Sequence, residues 1–436
     1  MDYFAIGGKP FLSRFPPHIP GIFNPQEQSH QEPSPGDCSA TNPDHLVDGH
    51  ALKALQAFQK AQAQFQQAQA LAADQANYRS SRGATSSAAR PAAPYTASDS
   101  EDEDVDDGHV KAPRALHQGY DHKEVRDWPA QRFEVIRKLQ DATRNRGQVV
   151  LMKDKDENRL VAVKIMPNRW VGTSHSDFVI DHPSETELPW QDLGCVRFLN
   201  DVGFPYACDL LGVYRDAEHT YVVTTFATEG DLFSWCEGGV SPGHEREIVV
   251  QPIARQLMEG IQQLHDFGIV HRDLSLENVL MSKTNGDTMT IKIIDFSMAS
   301  TARSFRNCIR GKASYQAPEL HTDQEYDAYL TDAFSLGVTL YAVLLKDYPW
   351  LSTRPGGCKC FEYVKKHGFR AYLAKRKLRN STQRVVEFMS EPLVCLLEGL
   401  LTFEPSERLT LGERKWGSSR PSIWDLSWLH EGPGKV

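Results

Sequence analysis

The chain has 436 residues, 40% of them apolar, and a net charge of −9, enough to bury a substantial core in one large or two ordinary domains. Asp99, Glu101, Asp102, Glu103, Asp104, Asp106 and Asp107 carry seven of those charges, leaving a body at −2 that gives no basis for nucleic-acid binding. Eight cysteines without a CxxC pair, no apolar run fit to span a bilayer and no secretory pattern after Met1 point to reduced thiols and a cytoplasmic, or nuclear, location.

Residues 1–125 read as a disordered, low-complexity tail, with Pro and Gly recurring through 10–36 and few apolar residues. Within it, 51–78 is rich in Ala and Gln and free of Pro and Gly, with Leu52, Leu55, Phe58, Phe65 and Leu71 at drifting spacing. That stretch reads as a transient helix and as a candidate contact for a partner protein. Ser98 and Ser100 border the acidic run at 99–107, resembling sites of acid-directed phosphorylation.

From Phe133 the texture changes to short apolar strands, at 133–139, 148–152, 160–166, 209–214 and 221–225, with a helix around 190–200. Five strands and a helix make a small β-rich lobe. After Glu229-Gly230-Asp231 the pattern is helical: Ile253, Leu257, Ile261 and Leu264 share one face, and Gly268 is placed as a stop. Leu336, Leu340 and Leu344 repeat every four residues from a helix start near Thr331-Asp332.

Between those helices lies His271-Arg272-Asp273-Leu274-Ser275-Leu276-Glu277-Asn278. Asp273 could accept a proton from a nucleophile, and Asn278 could offer an oxygen to a hard cation. Asn285-Gly286 separates two β-prone runs and favours a two-residue hairpin turn. Counting outward from it brings Asn278 close to Asp295, which makes a two-ligand magnesium site.

Taken in order, VAVK at 161–164, HRDLSLEN at 271–278, DFS at 295–297, APE at 317–319, Asp332 in DAFSLGV and Arg408 in EPSERLT resemble the motif set of eukaryotic-type protein kinases. The resemblance covers about 130–430 and implies an α+β, bilobal fold, with a small lobe at 130–227 and a large lobe at 228–430. It implies transfer of the γ-phosphoryl of MgATP to Ser or Thr hydroxyls of a protein substrate, with ATP and Mg2+ as cofactors. Asp273 would orient or deprotonate the substrate hydroxyl, Lys164 would hold the phosphates, and Asn278 and Asp295 would hold the metal. Nucleotide contacts fall on Leu139, Gly147, Val149, Ala162, Lys164, Thr225, Ala227 and Asp231, with Thr224 gating the back pocket. Glu319 and Arg408 would form a buried ion pair, and Asp332 would anchor the catalytic loop.

The chain departs from that pattern at several points. The three glycine positions of the phosphate-covering loop fall on Ala142, Arg144 and Gly147, so one glycine survives. Asp192 is the favoured partner of Lys164, because Leu193, Val196 and Leu199 then share the buried face; Cys195 is the alternative. Ser275 replaces the usual lysine, Ser297 the glycine of DFG and Lys312 a threonine. Ser300, Thr301 and Ser304 are candidate phosphorylation sites for pairing with Arg272, in competition with a basic loop already satisfied by its own contacts. The erosions leave a second reading open, a pseudokinase scaffold. Tryptophans between Trp416 and Trp428 are expected to pack on the large lobe.

Overall fold

Apolar and polar residues alternate along Arg159–Pro167, and the strand follows them: Val161 and Val163 are fully buried on one face while Ala162 and Lys164 share the other. The computed structural model describes residues 112, 116, 118–142, 147–283, 288–379 and 381–430, all within the compact unit 95–436. The helix expected at 51–78, the acidic run at 99–107, Arg144 and the Asn285-Gly286 turn lie outside the described residues.

Six strands form the small-lobe sheet: β1 (Arg126–Asp127), β2 (Phe133–Ala142), β3 (Gly147–Asp154), β4 (Arg159–Pro167), β5 (Leu210–Arg215) and β6 (His219–Thr225), in the order β1-β5-β6-β4-β3-β2. β1 runs parallel to β5, and the other pairs are antiparallel. One face packs Phe133, Val150, Met152, Val161, Val163, Tyr214 and Val223, with Trp128 stacked between Phe133 at 4.8 Å and Tyr221 at 4.0 Å. The other face is covered by α1 (Asn168–Val171), α2 (His175–Asp181) and α3 (Pro189–Asp201), through Val171, Phe178, Trp190 and Leu193.

β1 was not expected, and part of the assigned tail is folded. Residues 118–125 lie against α3: Tyr120 is buried, and its N–H donates to Trp190 O at 2.8 Å. Ala112 N–H reaches across to Phe267 O in the large lobe at 2.7 Å. Two glycines permit the approach, since a Cβ on Gly194 would stand 2.9 Å from the Gly119 carbonyl carbon, and Gly119 itself holds φ +81°. Averaged over the tail's polar composition, this short contact is invisible.

The large lobe contains α4 (Leu232–Glu237), α5 (His244–Asp266), α6 (Ala328–Leu345), α7 (Lys359–His367), α8 (Phe369–Lys375) and α9 (Glu391–Leu400). Among the described residues α6 alone is long and apolar enough to cross a membrane, but 94% of it is buried inside the lobe, so it is the lobe's central core helix. It starts about one turn before the expected Thr331-Asp332, because Asp327 caps it by accepting the Tyr329 N–H. Trp428 is fully buried, with Nε1 donating to Glu247 Oε2 at 3.3 Å, and Trp416 is sandwiched between Arg303 and Arg420 at 4.4 and 4.8 Å. The C-terminal tryptophans are thus packing residues.

β7 (Val279–Lys283) and β8 (Met289–Ile293) form the hairpin below the cleft. Their ladder pairs Lys283 with Met289 and Val279 with Ile293. Ile294 N–H donates to Asn278 O at 3.0 Å, which keeps Asn278 and Asp295 at adjoining ends of the hairpin.

Glu319 and Arg408 form the expected pair, bidentate at 2.5 and 3.0 Å, with Arg408 wholly buried and donating also to Leu330 O at 2.8 Å and Thr402 O at 2.9 Å. Glu319→Gln strands that guanidinium, and denaturant unfolding should register a loss of roughly 3 to 5 kcal/mol.

Candidate active site

The catalytic stretch is fixed from beneath by one carboxylate. Asp332, buried on α6, accepts the His271 N–H at 2.7 Å on Oδ2 and the Arg272 N–H at 2.9 Å on Oδ1. Those two bonds hold a loop in which Arg272 takes φ +68°, a conformation that a non-glycine residue keeps only when its surroundings impose it. Asp332 is itself held by His265, whose Nε2 lies 3.1 Å from Asp332 Oδ2 and whose Nδ1 lies 2.7 Å from Glu413 Oε1. Burial opposes the imidazolium, but hydrogen bonds to the two carboxylates raise its pKa to about 9. Sequence reading did not find this clamp, because His265 and Glu413 are joined only in space.

Asp273 emerges from the loop into the cleft, nearly buried. Asn278 Nδ2 donates to its Oδ2 at 3.1 Å and to its backbone O at 2.8 Å. Oδ1 is buried and has no hydrogen-bond partner. Burial raises the carboxyl pKa to about 7, with Asp295 and Glu187 adding to the rise and Lys312 and Asn278 opposing it. A buried, unpartnered acceptor that titrates near neutrality is suited to receive a proton.

Across the cleft, Lys164 on β4 meets Asp192 on α3 at 3.8 Å. The alternative partner Cys195, one turn further along the helix, is buried in the core with Leu199 and Phe204, and burial holds its thiol up. Asp192 does two jobs: its Oδ1 also accepts the Phe296 N–H at 2.9 Å, which ties the helix to the DFS turn. Burial works against the Lys164 ammonium, yet Asp192, Asp295 and Glu187 together hold its pKa above the ordinary value. Asp295 stays ionised for the converse reason, since Lys164 and a hydrogen bond from Ser297 outweigh its burial.

At 295–297 the sequence predicts that Ser297 costs the turn a positive-φ option. The positive φ sits on Asp295 instead, at +66°. Ser297 Oγ donates to Asp295 Oδ1 at 2.6 Å, so the hydroxyl that replaces a glycine orients the carboxylate. Phe296 is fully buried, 5.2 Å from the His271 ring.

Residues 145–415 match the family model for the protein kinase domain. This chain belongs to that family. It is 26% identical over 276 residues to the serine/threonine-protein kinase SIK2 of Gallus gallus, which covers 61% of this chain and 31% of that one. It is 28% identical over 290 residues to SAPK3 of Oryza sativa subsp. indica (65% and 76%) and 30% over 221 residues to SRK2E of Arabidopsis thaliana (50% and 55%), both serine/threonine-protein kinases. The chain thus spans under a third of the chicken relative and about three quarters of the rice one.

The remaining expected residues of this kinase domain lie in the small-lobe sheet and the segment that follows it. Ala162 pairs with Thr224, and Lys164 with Val149 and Val222. Leu139 sits in a bulge where the β2–β3 register slips between Lys138 and Gln140, while Gly147 closes the ladder against Ala142. Thr225 N–H donates to Asp209 O at 3.1 Å, and Ala227 is buried just beyond it. Asp231 serves as the N-cap of α4, accepting the Ser234 N–H at 2.6 Å.

The activation segment differs most from the sequence reading. Arg272 is held by the Phe305 ring at 4.0 Å, Cys308 Sγ at 3.0 Å and Met298 O at 3.4 Å. Ser304 donates to Glu325, and Arg303 pairs with Asp327. The competing view of a self-satisfied basic loop therefore describes Arg303 and Ser304. Further along, Lys312 Nζ donates to Ser275 Oγ at 2.6 Å and Glu277 Oε2 at 3.0 Å, a contact that no sequence spacing suggests.

The His265 clamp has a pH signature. Its folded pKa of about 9 lies above the ordinary 6.5, so its contribution, roughly 3 kcal/mol, is fully present below pH 6.5 and is lost as pH rises through 9. Thermal melts should show the unmodified protein losing stability between those pH values and His265→Gln losing far less over the same interval.

Proposed function

We propose that this protein transfers the γ-phosphoryl of MgATP to Ser or Thr hydroxyls of protein substrates. The observation that carries the reading is Asp273 Oδ1, a buried acceptor with no partner, in a cleft where Lys164, Asp295 and Asn278 converge. The donor set fits the metal: one carboxylate with one carboxamide suits magnesium, which keeps water and phosphate oxygens as its other ligands. Asn278, with its Nδ2 turned to Asp273, leaves its Oδ1 for that purpose, beside Asp295.

MgATP supplies the transferable group. The substrate hydroxyl gives its proton to Asp273 Oδ1 while its oxygen takes the γ-phosphoryl. The bond to the β-phosphate bridging oxygen breaks, leaving ADP with the electron pair. Lys164 holds phosphate oxygens and is held in turn by Asp192. Ser297 keeps Asp295 aimed. Thr225 and Ala227 offer main-chain groups to the adenine, and Leu139, Gly147, Val149 and Ala162 form its roof. Similarity to named serine/threonine kinases supports the choice of acceptor.

Two measurements test the reading. Incorporation of ³²P into a general protein acceptor should be abolished in Asp295→Asn; equal incorporation by both proteins sinks the proposal, and a failure of millimolar MgATP to raise the melting temperature favours the pseudokinase scaffold instead. Because Asp273 accepts a proton only when ionised, kcat/KM should rise with pH through about 7. A flat profile between pH 6 and 8 contradicts its role as the base.

A further inference from the structure

We propose that Lys312 of the activation segment is a catalytic residue of this kinase, supplying the positive charge that faces the transferred phosphoryl group beside Asp273. The inference rests on the phosphotransferase reading and adds to it a residue, and a condition for activity.

The cleft is short of cations on the side where the proton leaves. Asp273, Glu277, Asp295 and Glu187 all bear on it. Lys164 lies across the cleft on β4 and is engaged by Asp192. A polyphosphate and a developing oxyanion brought against four carboxylates need a compensating charge close to Asp273. Lys312 is the group that meets the need, because its ammonium feels Glu277, Asp273 and Asp295 together. Two of its three N–H bonds go to Ser275 Oγ and Glu277 Oε2. The third is available to a substrate or phosphate oxygen.

Position and partner suggest an exchange. Ser275, in the catalytic loop, stands where the resemblance places lysine, and Lys312, in the activation segment, stands where it places threonine. In the fold these two positions touch, so the ammonium enters the same neighbourhood from the opposite wall. A bare structural salt bridge to Glu277 would explain one of the two bonds and leave unexplained why a buried serine hydroxyl accepts the other at 2.6 Å.

Delivery from the activation segment makes the charge conditional on how that segment is seated. Gly311, at φ +78°, lies so close that a Cβ would stand 2.8 Å from Arg272 O and 3.5 Å from Asp273 Oδ1. Gln316 Nε2 donates to Gly311 O at 2.7 Å, Tyr315 N–H donates to Lys312 O at 2.9 Å, and Leu276 N–H donates to the Tyr315 hydroxyl at 3.3 Å. When the 311–316 turn leaves the catalytic loop, the ammonium leaves with it.

The experiment uses the full chain with MgATP and a general protein acceptor, and compares Lys312→Thr, Lys312→Arg and the double variant Ser275→Lys/Lys312→Thr. Lys312→Thr should lose about 100-fold in kcat, the range for one pre-positioned donor, while the double variant recovers to within about tenfold of the unmodified protein and Lys312→Arg retains most activity. Lys312 holds the Asp273 pKa down, so its removal should move the acid limb of kcat/KM to higher pH, and the double variant should return it. A purely structural bridge would show instead as a lower melting temperature of Lys312→Thr with kcat retained. A thermal shift with MgATP retained in all three variants separates loss of chemistry from loss of fold. Turnover by Lys312→Thr within about twofold of the unmodified protein, or a double variant as slow as Lys312→Thr, overturns the assignment of Lys312 alone. Absence of any transfer by the unmodified protein overturns the underlying reading as well.

Discussion

The catalytic loop depends on Asp332. A strained loop with a positive φ at Arg272 would relax without the two N–H donors that Asp332 gathers at 2.7 and 2.9 Å. A carboxylate buried on an apolar helix is costly in turn. The cost is met by His265, charged because it sits between Asp332 and Glu413. Glu413 also accepts the Leu411 N–H at 3.0 Å, so the same three residues join α5, α6 and the C-terminal segment to the loop that carries Asp273. Lobe stability and loop geometry therefore share one buried network.

The cleft above it is organised by short polar links that replace longer or more flexible ones. Asp192, one methylene shorter than glutamate, reaches Lys164 at 3.8 Å and adds a bond to the Phe296 N–H. Ser297 exchanges backbone freedom for a hydroxyl bound to Asp295. Lys312 occupies the hydroxyl's side of the usual pair, and Ser275 the ammonium's. The departures at Asp192, Ser297 and Lys312 are each matched by a compensating contact.

The helix bearing Asp192 is also braced from outside. Residues 118–128 run along α3 and end as a sixth, parallel strand, with Gly119 and Gly194 in close approach and Trp128 stacked on the sheet. Arg272 is held by Phe305 and Cys308, so cation–π and thiol contacts seat the activation segment on the catalytic loop.

The linear order of VAVK, HRDLSLEN, DFS and APE was sufficient for the family, the two lobes and five of the six strands, because strand alternation, helical spacing and motif chemistry are local properties. The buried face of α3 even selected Asp192 over Cys195. Other features escaped because they are set by packing between distant segments. The folded stretch at 118–125 owes its place to two glycines seventy-five positions apart. The roles of His265 and Lys312 exist only where a second chain segment brings a carboxylate or a hydroxyl to them. Sequence determined which chemical groups are present and in what order; tertiary structure alone decided which of them meet, because hydrogen bonds and ion pairs act over a few ångströms in space, whatever the distance along the chain.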